Sequence, residues 1–211
     1  YFGADRKAFS GTASLGFWFF KQQITRNDSS KGFVNAATNT QATHTEGDAL
    51  VAFEYTNGGG VNEVRVYTWH NNGLVLKSAF GLNATSKAGV YCDSDERICG
   101  STNSGPITLA TSETVEPGQF FEGGINISKL LGLDNCFASF MATSRSSDTT
   151  NASIKNFILG SFPVCHLTVT KSCDGSLYQA ASDTVLFTVK GAVINDGSGP
   201  LSNISLVDSP P

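Results

Sequence analysis

Two runs of alternating side chains, Leu50–Tyr55 and Val61–Trp69, flank the segment Thr56-Asn57-Gly58-Gly59-Gly60. In the first run Val51, Phe53 and Tyr55 point one way and Leu50, Ala52 and Glu54 the other. In the second, Val64 and Val66 oppose Glu63, Arg65, Tyr67 and Trp69. A period of two predicts strands. An Asn-Gly-Gly turn, which takes positive φ at little cost, predicts that they pair as a hairpin. Glu63 and Arg65 mark a partly wet face, but the runs are too apolar for a fully exposed sheet. The stretch from Gly47 to Trp69 therefore predicts the core hairpin of an all-β domain.

The rest of the chain follows the same grammar. Leu15–Ile24 is apolar on both faces at Phe17, Trp18, Phe19 and Phe20, which suits a central strand covered on two sides. Asn27–Lys31 predicts a turn, and residues 35–46 a Thr-rich loop or edge strand. Gly73–Phe80 continues the sheet, Tyr91–Gly100 forms a pinched loop, Ser101–Pro106 a turn and Ile107–Val115 another strand. Residues 119–133 hold one short helix starting at Ser128, a good N-cap, and stopping at Gly132. Phe137–Thr143 alternates again, Ser144–Asn151 is a hairpin loop or exposed rim, and Ile154–Phe162 is a last strand. Many short strands with turn signals predict a β-sandwich or jelly roll over residues 1–165.

At His166 the texture changes, and residues 166–211 predict a second, Ig-like set of strands. Val185, Phe187 and Val189 share a face, Asn195–Gly199 is a turn and Ile204 to Val207 the next strand. A complete Ig-like sandwich takes about 100 residues. The unit is thus either completed by a partner or continued elsewhere, and its open edge is an association surface in the first case.

Composition narrows the function classes. The 211 residues carry only 15% charged side chains, against about 25% in ordinary domains, with a net charge of −4. No Lys/Arg run exists, which argues against nucleic-acid binding. No apolar stretch approaches the roughly 20 residues that a membrane-spanning helix needs. The chain opens on Tyr1 without Met or a leader and is read as a mature or trimmed product. Cys92, Cys99, Cys136, Cys165 and Cys173 form no zinc or haem spacing. A low-charge, Ser/Thr/Asn-rich chain points to an oxidising, secreted or cell-surface setting, hence to disulfides. Cys92 and Cys99 bracket an acidic loop, and Cys136 and Cys165 the end of the first domain. Cys173 is left over, with its partner on another chain or in sequence outside this one.

The motifs Val169–Lys171, Phe187–Val189, Asn195–Gly199 and Val207–Pro210 occur in an order that resembles the Ig-like repeat of microbial surface proteins catalogued as domain of unknown function 11. They cover about a fifth of the chain. The pieces GFWFF, GDALVAFEYTNGGG and CFASFMATSRSSDTTNASIKNFILGSF resemble the lectin-like sandwich that precedes such repeats in large secreted proteins. The resemblance implies no catalytic residues. It implies that Cys173 pairs later in the repeat and that Lys171 is a candidate for an isopeptide bond, for which no acceptor is identifiable.

The chain offers four groups of candidate chemical residues. Glycoside hydrolysis needs two facing carboxylates about 5 to 9 Å apart. Glu46, Asp48, Glu54 and Glu63 are the candidates, and only Glu46 and Asp48 could share a strand face. The histidines His44, His70 and His166 accompany no nucleophile elbow. Asp93, Asp95 and Glu96 crowd the loop between Cys92 and Cys99, where a Ca2+ ion would find oxygen ligands, though without EF-hand spacing. Trp69, Tyr67 and Tyr91 could stack on a sugar or could finish a core. Sequons lie at Asn27, Asn83, Asn126, Asn151 and Asn203. The expectation is a non-enzymatic extracellular structural protein, a subunit of a surface stalk or filament that associates with copies of itself or with further repeats. The alternative is a carbohydrate-binding adhesin, with Ca2+ at the acidic loop assisting it. Burial of Tyr67 and Trp69 favours the first, and their exposure in a groove the second.

Overall fold

The computed structural model describes residues 1–8, 10–29, 32–57, 61–81, 89–132, 136–161, 167–197, 201 and 204–207. They form β1 (Phe2–Asp5), β2 (Ala13–Phe20), β3 (Ile24–Asn27), β4 (Gly32–Asn35), β5 (Ala49–Tyr55), β6 (Val61–His70) and β7 (Gly73–Gly81). There follow β8 (Gly89–Cys92), β9 (Ile98–Thr102), β10 (Ile107–Thr108), β11 (Thr114–Val115), β12 (Phe120–Ile125), α1 (Ile127–Leu131), β13 (Ser139–Arg145) and β14 (Ile154–Ser161). The last two strands are β15 (Leu167–Gln179) and β16 (Thr184–Asn195). The chain divides into two compact units, Tyr1–Phe162 and Pro163–Pro211. The fold is all-β, built from antiparallel sheets.

In the first unit a six-stranded sheet in the order β14-β13-β2-β5-β6-β7 packs on a four-stranded sheet in the order β1-β12-β9-β8. The hairpin foreseen at residues 50–69 is β5–β6, and it sits inside the larger sheet. Alternation assigns its faces. Val51, Phe53, Tyr55, Val64 and Val66 meet Ile98 and Phe121 from the smaller sheet, with Phe2, Leu15, Phe17 and Phe19 packed around them. The Phe53 ring lies 4.4 Å from that of Phe121, centroid to centroid. Leu50, Ala52 and Tyr67 point the other way and join Trp18, Phe20, Met141 and Ile24. Phe33 of β4, Ala42 of the following loop and Leu74 close over them.

The centre of the large sheet, β2 and β5, is therefore covered on both faces, which is why residues 15–20 lack a polar side. The expected strand over Leu15–Ile24 ends at Phe20, and after Lys21, Gln22 and Gln23 the chain enters β3 with Ile24. Glu54 is the partly exposed exception in β5, at the end of the strand where its outer cover stops. Tyr55 ties the layers together: its hydroxyl donates to the carbonyl oxygen of Ala4 in β1 at 2.5 Å. Burial pushes the Tyr55 phenol far above its ordinary value, so it stays a donor.

Three local expectations are corrected. Ile107–Val115 is not one strand but two short ones, β10 and β11, because Ser112 adopts a positive φ and turns the chain between them. The helix is capped by Asn126, whose Oδ1 accepts the Lys129 N–H at 3.0 Å, rather than by Ser128, which lies inside α1. Ile204 to Val207 lies in no strand. The turn glycines Gly58 to Gly60 fall outside the described residues.

Among its described residues the second unit forms one long hairpin, β15–β16, with a bulge between Cys173 and Gly175. The turn is at residues 180–183, and Val169–Lys171 lies near the start of a strand of 13 residues.

Phe53→Ala is expected to cost the first unit about 3–5 kcal/mol in urea unfolding, because a buried ring leaves a cavity between two rigid sheets. Val75→Ala, at a side chain 42% exposed on β7, is expected to stay within about 0.5 kcal/mol.

Candidate functional site

The carboxylates singled out by the sequence sit at turns and strand ends, and each has its own partner. Gly47, at φ 85°, reverses the chain just before β5 and sends Glu46 and Asp48 to different neighbours. Asp48 is 2% exposed. Its Oδ1 accepts the Lys21 N–H at 2.9 Å, and its Oδ2 accepts the Thr45 N–H at 2.9 Å and faces His44 Nδ1 at 3.3 Å. The His44 ring is sandwiched between Trp18 and Trp69, with centroids 4.5 and 4.4 Å away. Asp48 thus satisfies two backbone donors and orients the imidazole that fills the space between two indoles.

Glu46 turns outward. It accepts the Asn71 N–H at 2.7 Å and lies 2.9 Å from His70 Nδ1. The Asn71 N–H, then His70, hold its carboxyl below the ordinary carboxylate range. Glu54 accepts the Ser14 hydroxyl at 3.3 Å, and Glu63 accepts Arg65 Nε at 2.5 Å. His166 lies outside the described residues.

The acidic loop is organised by Arg97. Asp93 Oδ1 accepts the N–H groups of Arg97 and Ile98, and its Oδ2 accepts Arg97 Nε at 2.9 Å. Asp95 approaches the same Nε at 3.4 Å, and Glu96 occupies a positive-φ corner. Burial pushes the Asp93 carboxyl up, but the Ile98 and Arg97 N–H groups and the Arg97 guanidinium outweigh it and hold it below its ordinary value. Among the described residues no three His, Cys, Asp or Glu side chains converge to hold a metal ion. The disulfide Cys92–Cys99 closes the loop across paired positions of β8 and β9.

One polar cluster was not legible in the sequence. Beyond the aromatic half of its outer face, the large sheet presents Arg65, Glu63, Ser14, Glu54 and Arg145. Arg65 Nη1 donates to Asp148 at 2.6 Å. Arg145, 4% exposed, donates from Nη2 to the Thr149 carbonyl at 2.6 Å. Its stem lies across Gly16, where an added Cβ would come within 2.8 Å of Arg145 Cδ. Burial lowers Arg145, whereas Glu63 and Asp148 outweigh the same effect at Arg65 and raise it. The loop 146–153 is therefore strapped over the sheet by two guanidinium groups. The missing side chain of Gly16, opposite Thr143, was the available signal.

Of the aromatic candidates, Tyr67 is buried and Trp69 is half-buried with a face against His44. The side chain of Tyr91 lies outside the described residues. Cys136 is disulfide-bonded, Cys165 lies outside the described residues and Cys173 is free and exposed. Among the sequons, Asn126 caps α1, Asn151 accepts the Thr149 hydroxyl at 2.9 Å and Asn27 ends β3 within reach of Asn39. Asn83 and Asn203 lie outside the described residues. Among the described residues no helix is long and apolar enough to cross a membrane.

What these groups do is pin turns. Asp93→Ala is expected to destabilise the first unit by about 1–3 kcal/mol at pH 7, the cost of leaving its donors unpaired. Because the folded carboxyl titrates below its ordinary value of about 3.9, this stabilisation is complete above about pH 5 and fades as pH falls through the ordinary value and on to the folded one. The variant's loss should accordingly shrink in acid unfolding series. Replacing Cys92 and Cys99 by Ser, which opens a loop of sequence separation 7, should cost about 2.5 kcal/mol by the same measurement.

Scanned against family models, curated proteins and solved structures, the chain matches none.

Proposed function

We propose that the protein is a non-enzymatic extracellular structural protein, a subunit of a surface stalk or filament assembled by β-strand complementation. One observation carries the reading: the hairpin β15–β16 presents an uncovered apolar face. The register places Leu167, Val169, Val193, Val189, Phe187, Val185 and Tyr178 on one face, with Lys171, Cys173 and Ser176 among them. All seven apolar side chains are exposed, Val169 by 60% and Phe187 by 68%. The opposite face mixes Thr168, Thr170, Ser172, Thr188 and Lys190 with Leu177, Leu186 and Ile194.

A two-stranded hairpin alone is marginally stable in water, and stability requires further strands or a packed layer on its apolar face. Two exposed apolar clusters, Leu167 with Val169 and Val193, and Val189 with Phe187, Val185 and Tyr178, flank the Lys171–Gly191 pair, and exposed apolar clusters of this kind mark interaction sites. Each strand also keeps one edge without a partner among the described residues, and such edges template pairing with another chain. When the strand-giving and strand-taking surfaces of a subunit differ, contacts between copies are head-to-tail and do not close, which yields a fibre.

Two further observations support the scaffold over a glycan-binding adhesin. Tyr67 is spent in the core, and Trp69 gives a ring face to His44. The disulfide between β8 and β9 supports a secreted or surface setting.

Negative-stain electron microscopy and sedimentation at rising protein concentration test the reading. Fibres or a concentration-dependent series of oligomers are expected. Phe187→Asp should abolish them while the fluorescence of Trp18 and Trp69, both in the first unit, stays as in the parent. A monodisperse monomer at every concentration would overturn the proposal.

A further inference from the structure

The two sheets of the first unit are unequal. The four-stranded sheet is two strands narrower than the six-stranded sheet on which it packs. Its edge strand β1 lies over β2, since the Phe2 and Phe17 rings are 4.7 Å apart. The outermost strands of the larger sheet, β13 and β14, consequently extend past β1. The side chains they turn toward the missing layer are Phe140, which lies over Gly160, and Ala142 and Ser144, opposite Ile158 and Asn156. Ile158 is 71% exposed. Between these residues and β1 runs an open trough of about 310 Å³, backed by Leu15 and Phe17.

The rim of the trough is an unpaired strand edge. Arg6 donates its N–H to Gln119 at 3.0 Å, so by strand alternation Phe2 and Ala4 face β12. The backbone groups of Gly3 and Asp5 point the opposite way, over the trough. Among the described residues β1 pairs only with β12. The site thus offers backbone hydrogen bonds along one wall and a floor of Leu15, Phe17, Ala142 and Ile158 beside the hydrogen-bonded pair Ser144–Asn156, and an unpaired edge with side-chain pockets is the recognition chemistry of an added strand.

From this we infer that the trough beside β1 receives the β15–β16 hairpin of a second copy of the chain. The hairpin supplies two strands, the number by which the smaller sheet falls short. Its face of Val169, Phe187, Val189 and Val193 covers Ala142, Ser144 and Ile158, and one of its open edges extends the sheet from β1. The hairpin face and Ile158 are each exposed, as the two halves of such a contact would be. The inference rests on the proposed assembly through strand complementation and names the acceptor of the strands.

The test uses the full chain with the photo-cross-linker benzoylphenylalanine in place of Ile158, prepared from an equal mixture of 14N- and 15N-labelled copies. Irradiation of the assembled material should join residue 158 to peptides within 167–195, in mixed heavy–light pairs. Phe187→Asp should lower that yield about tenfold or more, as expected for a buried aromatic anchor. Exclusively unmixed pairs would mean that the hairpin folds onto its own chain, and would overturn the inference. Fibres whose cross-links land outside 167–195 would overturn the acceptor while leaving the filament reading intact. Absence of both fibres and cross-links would overturn both.

Discussion

The structure depends on one constraint: the central strand β5 is buried on both faces. Leu50 and Ala52 on one side and Val51, Phe53 and Tyr55 on the other are each almost wholly withdrawn from water. A sheet with such a centre needs a layer above and a layer below. The four-stranded sheet supplies one through Ile98 and Phe121, and the β3–β4 hairpin with the loop after it supplies the other through Phe33 and Ala42. Each covering layer must then be anchored, and the polar chemistry of the first unit does this. Tyr55 grips β1, Asp48 and His44 hold the covering loop between the two indoles, and Arg145 straps the far loop across Gly16.

Polar residues that would suggest catalysis in a sequence serve as fasteners in this fold. Asp48 and Asp93 are little exposed and accept several donors, most from the backbone, which is how a buried carboxylate is satisfied. Leaving such donors unpaired is costly, so the same residues specify where the turns fall.

Strand alternation was legible wherever one side chain in two had to be buried. Val51, Phe53, Tyr55, Val64 and Val66 reach one face as read, whereas the run read as one strand over Leu15–Ile24 is a central strand only to Phe20, and Ile24 opens β3 in another sheet. Short elements were not legible, because two-residue strands such as β10 and β11 carry no period to detect. The caps and straps also escaped. Asn126 and Ser128 are both acceptable N-caps by type, and the choice between them was made by the Asn126 N–H, which is already bonded to the Arg97 carbonyl. Arg145 and Asp148 meet distant strands, and no local pattern encodes a contact of that range. The shared face of Val185, Phe187 and Val189 was read from alternation alone, whereas the bulge that adds Tyr178 to it appears only in the strand register.

That face carries the proposed function, because seven apolar side chains of one hairpin are exposed on it. Hydrogen–deuterium exchange of the full chain, followed as protein concentration rises, addresses it most directly. Amides of Leu167–Asn195 should become protected with concentration, while those of Ala49–His70, already in the core, should not change. Exchange in Leu167–Asn195 that is rapid and independent of concentration would contradict the account.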